Sequence, residues 1–397
     1  MNIILFDNNR DNYYPLSFTR PISFFRIGVL TIKQKWEKYY DSVSVKTIDY
    51  LSEKYPLNIE EDNVWIDASI IPSDELITEL DNLRIGEGLV NNGKLILFRS
   101  SKFDINSINR IKSRAEFNQI NYLWDIFSLN GQEIKNDFKL MFKSKLRSGW
   151  QGPNIDIDKI KQENIRIGEN PIFVEEGAKL QQCIFNTKNG PIYIGKNAEI
   201  MEGSVVRGPF AMLDNSVVKI GAKIYEATTL GPYCKVGGEV NNTVFFGYSS
   251  KAHDGFIGNS VIGEWCNLGA DTNTSNLKNN YEEVKLWNYQ TKSFNQTGLQ
   301  FLGLIMGDHS KCAINTMFNT GTIVGVSANI FGSGFPRNFI PSFSWGGSSG
   351  FSTYNLSKAY DTAKKVFSRR DCLFNNQDEA IFEHIFNLTK SYRNNFN

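Results

Sequence analysis

Residues 194–236, IGKNAEIMEGSVVRGPFAMLDNSVVKIGAKIYEATTLGPYCKV, decide the fold. Apolar side chains recur there at every sixth position: Ile194, Ile200, Val206, Met212, Val218, Ile224, Leu230 and Val236. An α-helix calls for apolar spacings of three and four, and a half-buried strand for alternation, so a strict period of six marks a repeat. Small or modest side chains follow four residues later in most units, at Ala198, Ser204, Ser216, Ala222, Thr228 and Cys234. Each unit reads as one short strand and one turn. Three units close a coil of about eighteen residues, which stacks Ile194, Met212 and Leu230 in one column and Ile200, Val218 and Val236 in the next. A single coil buries little apolar surface, so stability comes from the stack.

The pattern changes on either side. Ile165-Arg166-Ile167-Gly168 and Ile172-Phe173-Val174 fall outside the later phase, as expected of a region that caps one end of a solenoid. After Val240 the register shifts and returns at Ile262 and Leu268, which predicts a loop interrupting the coils. That segment, Phe246 to Gly258, is polar and glycine-bearing and holds His253. A polar excursion from Leu277 to about Gln300 follows, and the period resumes at Met306, Cys312, Phe318, Val324 and Ile330. His309 sits inside that register and reads as structural. Tyr360 to Arg370 and Glu379 to Leu388 read as amphipathic helices.

Residues 1–147 lack the sixfold period. Strand-like runs (Asn2 to Phe6, Val64 to Ile66, Lys94 to Phe98) alternate with helix-like ones (Leu30 to Tyr40, Ser73 to Leu83, Ile105 to Ile111), the pattern of an α/β domain. The expected organisation is an α/β domain over 1–147, a β-helix over 148–347 entered through a linker at Ser148–Pro153, and a helical segment over 348–397. A formal net charge of +1 gives no electrostatic reason to expect nucleic acid or an anionic membrane as partner. The five cysteines are widely spaced, three of them in repeat register (Cys234, Cys266, Cys312), so buried free thiols are expected. Met1 to Asp7 is a short apolar strand and not a signal peptide, and no run is apolar enough to span a bilayer, so the cytoplasm is the expected compartment.

The sixfold pattern resembles the hexapeptide-repeat proteins, which implies a left-handed parallel β-helix and, for many members, acyl transfer by trimers. The opening, Ile3 to Asp7, then Tyr14-Pro15-Leu16-Ser17-Phe18-Thr19-Arg20-Pro21 and Arg26 to Lys33, together with Tyr122-Leu123-Trp124-Asp125-Ile126 and Leu129-Asn130-Gly131, resembles sugar nucleotidyltransferase domains. Over nearly the whole chain the likeness is to a divergent branch of the bifunctional UDP-N-acetylglucosamine pyrophosphorylase/glucosamine-1-phosphate N-acetyltransferases. The mainstream enzymes open with a glycine-rich loop, whereas Asp7 to Asn12 holds no glycine. Without it the backbone cannot approach phosphates in the usual way, and Arg20, Arg26 or Lys33 would take over that contact. The family's magnesium-binding Asp after a central strand falls on Asp67, at the end of Val64-Trp65-Ile66.

Acetyl transfer to an amine requires a base, donors for the oxyanion and cations for the substrate phosphate. Ser250-Lys251-Ala252-His253, followed by Ile262 to Ala270, resembles the acetyltransferase signature. By that resemblance His253 is the catalytic histidine, Lys251 and Lys235 hold the sugar phosphate, and Asn276 contacts the sugar. Phe256 and Leu277 stand where the family has tyrosines, which leaves the acceptor sugar open. The reactions implied are acetylation of glucosamine 1-phosphate with acetyl-CoA and uridylyl transfer to give UDP-N-acetylglucosamine. The expected partners are a sugar 1-phosphate, a nucleoside triphosphate, acetyl-CoA, Mg2+ and two further copies of the chain. Two alternatives remain: a nucleotidyltransferase for another hexose 1-phosphate, such as a thymidylyltransferase, with a regulatory β-helix, or a trimeric scaffold with a relic nucleotide domain.

Overall fold

The computed structural model describes residues 1–147 and 163–394, so the linker expected at Ser148–Pro153 lies outside the described residues. The chain opens with β1 (Asn2–Phe6), α1 (Ile32–Trp36), β2 (Val43–Lys46), α2 (Asp49–Ser52) and β3 (Asn63–Asp67). It continues with α3 (Asp74–Asp81), β4 (Glu87–Asn91), β5 (Lys94–Arg99), β6 (Asn109–Lys112) and α4 (Asp125–Arg147). The strands form one mixed sheet of order β2-β1-β3-β5-β4-β6. The first three run parallel, while β5 runs antiparallel to both β3 and β4. Buried β1 and β3 take the centre because they are apolar on both faces. Ile105 to Ile111, expected as a helix, instead leads into β6, an exposed edge strand beside β4. Its Arg110 and Lys112 suit an edge that must not pair further.

Residues 165–347 form a parallel β-solenoid, on whose last strand Gly350–Thr353 folds back antiparallel. The columns are those of the sixfold pattern: Ile194 lies opposite Met212 and Met212 opposite Leu230, while Ile200 lies opposite Val218 and Val218 opposite Val236. The expected interruption after Val240 takes another form. Leu230 lies opposite Phe245 and Val236 opposite Lys251, so the coil contracts and stays in the stack, without an extruded loop. Two nine-residue strands, Glu239–Gly247 and Phe256–Glu264, pair along most of their lengths and carry the stack through. The excursion after Leu277 folds as a hairpin, Lys285–Asn288 with Ser293–Gln296, whose Trp287 stacks on Phe339 of the same chain at 4.3 Å.

One corner of the solenoid explains the C-terminal helices. Each coil turns there through a left-handed residue: Asn197, Asn215, Tyr233, Tyr248, Trp265, His309, Ser327 and Phe343, with φ from 53° to 62°. Asparagine enters this region readily, whereas a bulky side chain costs roughly 1–2 kcal/mol. The aromatic residues offset that by stacking: Tyr233 on Tyr248 at 5.1 Å, and Tyr248 on Trp265 at 4.1 Å. On this ladder rests α5 (Leu356–Ser368), through Phe367 at 3.9 Å from Trp265, with α6 (Asn376–Leu388) beyond it. His309 is buried among Trp265, Phe367 and Phe382, and burial pushes its pKa well down, so it is a neutral core residue as its register implied.

The α/β domain, this outer face and the C-terminal helices share one apolar core. Asn130 of α4 donates to Ala227 O at 2.7 Å and to Thr229 Oγ1 at 3.0 Å, and Gly131 sits close against Ala227, where an added Cβ would come within 3.0 Å of the Ala227 methyl. Phe25 packs on Phe246 at 5.6 Å. The solenoid's interior is a second, separate core.

Candidate active site

Lys251, Ala252 and His253 leave the solenoid strand Ser250–Lys251 and enter a bend that Gly255 closes with φ 108°. His253 is exposed at the apex. The coil beneath passes it closely: a side chain at Gly237 would come within 2.5 Å of Ala252 O, and one at Gly238 within 2.6 Å of Gly255 O. The next strand begins with Phe256, whose ring tip and the Asn276 amide both fill the space over Gly258. Asn276 donates to Asn259 Oδ1 at 2.8 Å. Asn276 therefore meets the ring tip of Phe256, three residues after His253.

Lys235 projects outward from its strand while Val236 fills the interior. Burial lowers its pKa, and three further cations, Arg370, Lys219 and Arg369, push in the same direction. Lys219 lies beside Gly237, one coil further from the His253 bend. Among the described residues none of these four cations has a carboxylate at ion-pair distance. Lys219, Arg369 and Arg370 thus put three unneutralised positive charges near the partly buried Lys235 amine, a setting that favours an anion. The sequence pointed to Lys235 alone. Arg369 and Arg370 follow α5, far along the chain, and only the stacking of Phe367 on Trp265 brings them here.

Lys251 does not join that group. It stands between Val236 and Leu268 in an inward column and is 1% exposed. Its ammonium donates to His253 O at 2.5 Å and Asp254 O at 2.9 Å. The expectation that it holds a sugar phosphate fails on geometry, because no solvent-borne anion reaches it.

The first domain's expected cations are likewise engaged. Arg20 pairs with Glu264 at 2.8 Å and with Asp308, and both carboxylates belong to the solenoid. Burial opposes the Arg20 charge, but Asp308 and Glu264 outweigh it and raise its pKa. Arg26 is buried and donates to Phe246 O at 3.2 Å and Val29 O at 2.5 Å. Lys33 pairs with Glu37 one turn along α1. None of the three presents a free charge at the strand ends. There the glycine-free loop folds into three short 3-10 turns: Arg10–Tyr13, Leu16–Phe18 and Ile22–Phe24. Arg10, which sequence reasoning passed over, is buried against Asp7 at 2.5 Å, and Asp7 also accepts from Thr47 Oγ1 at 2.5 Å and Ile22 N at 2.8 Å.

Asp67 stands at the C-terminal end of β3, where the resemblance to the family puts magnesium. Its Oδ1 accepts from Ser69 N and Oγ at 3.0 and 2.6 Å, and its Oδ2 from Asn8 at 2.9 Å. Among the described residues no three His, Cys, Asp or Glu side chains converge on a metal position. Asp67 thus stands as a single carboxylate oriented by Asn8 and Ser69, with no converging set of metal ligands among the described residues.

Against known proteins, residues 3–145 match the family described as sugar nucleotidyl transferase. A bifunctional sugar-1-phosphate nucleotidylyltransferase/acetyltransferase of Sulfurisphaera tokodaii is 30% identical over 179 residues, 45% of this chain and 42% of that protein. The bifunctional protein GlmU of Methanococcus aeolicus is 27% identical over 220 residues, 55% of this chain and 44% of that protein. Over these stretches the chain is similar to the GlmU-like proteins. Its matches span less than half the length of those two relatives. The uncharacterized acetyltransferase YaiX of Escherichia coli O6:K15:H31 is 24% identical over 205 residues, 51% of this chain and 75% of that protein.

Proposed function

We propose that this GlmU-like chain transfers an acetyl group from acetyl-CoA to the amine of an amino-sugar 1-phosphate, with glucosamine 1-phosphate the first choice, at the solenoid edge carrying His253. The observation that carries the reading is an exposed imidazole in the coil next to that of Lys235, whose amine feels Arg370, Lys219 and Arg369 and has no carboxylate at ion-pair distance among the described residues. The cations hold the phosphate, which does not react. His253 accepts a proton as the amine nitrogen attacks the thioester carbonyl; the C–N bond forms, the C–S bond breaks, and the proton returns to the departing thiolate. Asn276, at the ring tip of Phe256, contacts the sugar. Assembly as a homotrimer follows from the long flat faces of the coils.

Uridylyl transfer to the acetylated sugar is the companion reaction of the family. Here the plugged strand ends favour a second reading for the first domain, in which that transfer is slow or lost and the domain braces the solenoid. These substrates put the protein in the cytoplasm, and no helix among the described residues is long and apolar enough to cross a membrane. The test is mass spectrometry of products from acetyl-CoA, UTP and TTP with a panel of sugar 1-phosphates. N-acetylglucosamine 1-phosphate without a UDP-sugar supports the brace reading. A UDP- or TDP-hexose with no acetylated product shifts the assignment to the nucleotidyltransferase alternative, and no product at all to the scaffold.

A further inference from the structure

Lys251 occupies a place that the solenoid otherwise reserves for apolar groups. Ile200, Val218, Val236, Leu268, Cys312 and Ile330 fill the rest of its column, and Lys251 is as buried as they are. Withdrawing an ammonium from water is costly unless it is well bonded. Its bonds go to the carbonyls of His253 and Asp254, and among the described residues it has no ion pair. Asp254 O also accepts from Asp271 N at 3.1 Å, whereas the described backbone bonds supply no donor to His253 O. The ammonium thus satisfies a carbonyl that the contracted coil would leave bare. The His253 imidazole itself has no described hydrogen bond, so no neighbouring side chain aims it. Its direction depends on the backbone of the bend.

We infer that Lys251 is a positioning residue, which from inside the solenoid fixes the bend that presents His253 to the amine. The inference rests on the reading of His253 as the base. Lys251→Met keeps the length and volume of the side chain and removes the donor; Lys251→Leu serves the same comparison should the methionine variant not fold. In the folded variant, kcat for acetyl transfer is expected to fall tenfold or more, with KM for sugar phosphate and acetyl-CoA within twofold. In a His253→Ala background the same change should leave kcat unaltered. A raised KM with kcat preserved, or full additivity with His253→Ala, overturns the inference. The second readout needs no turnover. The imidazole NMR signal of His253 should shift or broaden in the variant, while those of His309 and His384 stay in place, and an unmoved His253 signal also overturns it. If His253→Ala leaves acetyl transfer untouched, the function reading fails, and the NMR comparison still decides whether Lys251 holds the bend.

Discussion

His253 lies outside every stacked column, so replacing it touches chemistry and spares the fold. His253→Ala is expected to lower acetyl transfer by roughly a hundredfold to ten-thousandfold, the usual contribution of positioned proton transfer. Steady-state rates on protein whose circular dichroism and mass match the parent check this, and survival within threefold removes the assignment. Lys251 leaves a different trace. Burial pulls its pKa from the ordinary 10.5 down to about 8, against the smaller opposing influence of Asp254, Asp271 and Cys312. Between those values the unfolded chain holds the proton and the folded chain has released it, so unfolding takes up a proton and stability rises with pH. Below pH 8 both states are protonated and the burial penalty stands in full. Lys311, also pulled down to about 8 by burial, contributes its own rise. The denaturant midpoint of the parent should therefore rise relative to that of Lys251→Met between pH 8 and pH 10.5.

The aromatic corner is the element that turns sequence-remote parts into a site. Trp265 is 6% exposed between Tyr248 and Phe367, and its loss should cost about 3–5 kcal/mol. Trp265→Ala is expected to loosen α5 and α6 from the solenoid, seen as faster limited proteolysis of the C-terminal 50 or so residues. Because Arg369 and Arg370 follow α5 directly, the same variant should raise KM for the phosphorylated acceptor. Arg370→Gln should raise that KM alone, by roughly the tenfold that loss of one charge-assisted contact brings, and leave an unphosphorylated amino sugar unaffected. Equal effects on both acceptors would disconnect α5 from phosphate. The two helices were legible from sequence, but the pattern started them at Tyr360 and Glu379, short of the true starts that Asn355 and Asn375 cap, and it did not say what they cover, since amphipathicity names a buried face without its partner.

At the scale of the molecule, Arg20 joins the two domains. Arg20→Ala would leave Glu264 and Asp308 facing each other in a buried interface, and removing one partner of such a network costs about 3–5 kcal/mol. Calorimetry should show a lower melting temperature for α/β domain and solenoid together, as befits one shared core. Two separate transitions would argue for independent domains. Any nucleotidyl transfer lost in this variant would then follow stability and not a phosphate contact. Native mass spectrometry is expected to find a homotrimer, and a monomer at micromolar concentration would count against the flat-face packing.

The repeat was legible because a period of six is a local property: each inward residue is set by its own turn and stacks on its equivalent in the next coil. The sequence alone therefore determined the columns from Ile194 to Val236 and again from Met306 to Ile330, the free thiols and the structural role of His309. It also singled out His253, as a histidine where the phase breaks. What the tertiary structure decided depends on direction and on partners distant in the chain. A phase break looks the same whether a coil bulges out or contracts, and contraction is what turns Lys251 inward, onto the carbonyls of its own bend. Arg20 and Arg26 read as phosphate ligands until the solenoid supplied Glu264, Asp308 and the Phe246 carbonyl. Lys235 became part of a cation group only when an aromatic ladder, strained residue by residue, gave α5 a place to rest. A charge in sequence has no address, and packing assigns it one.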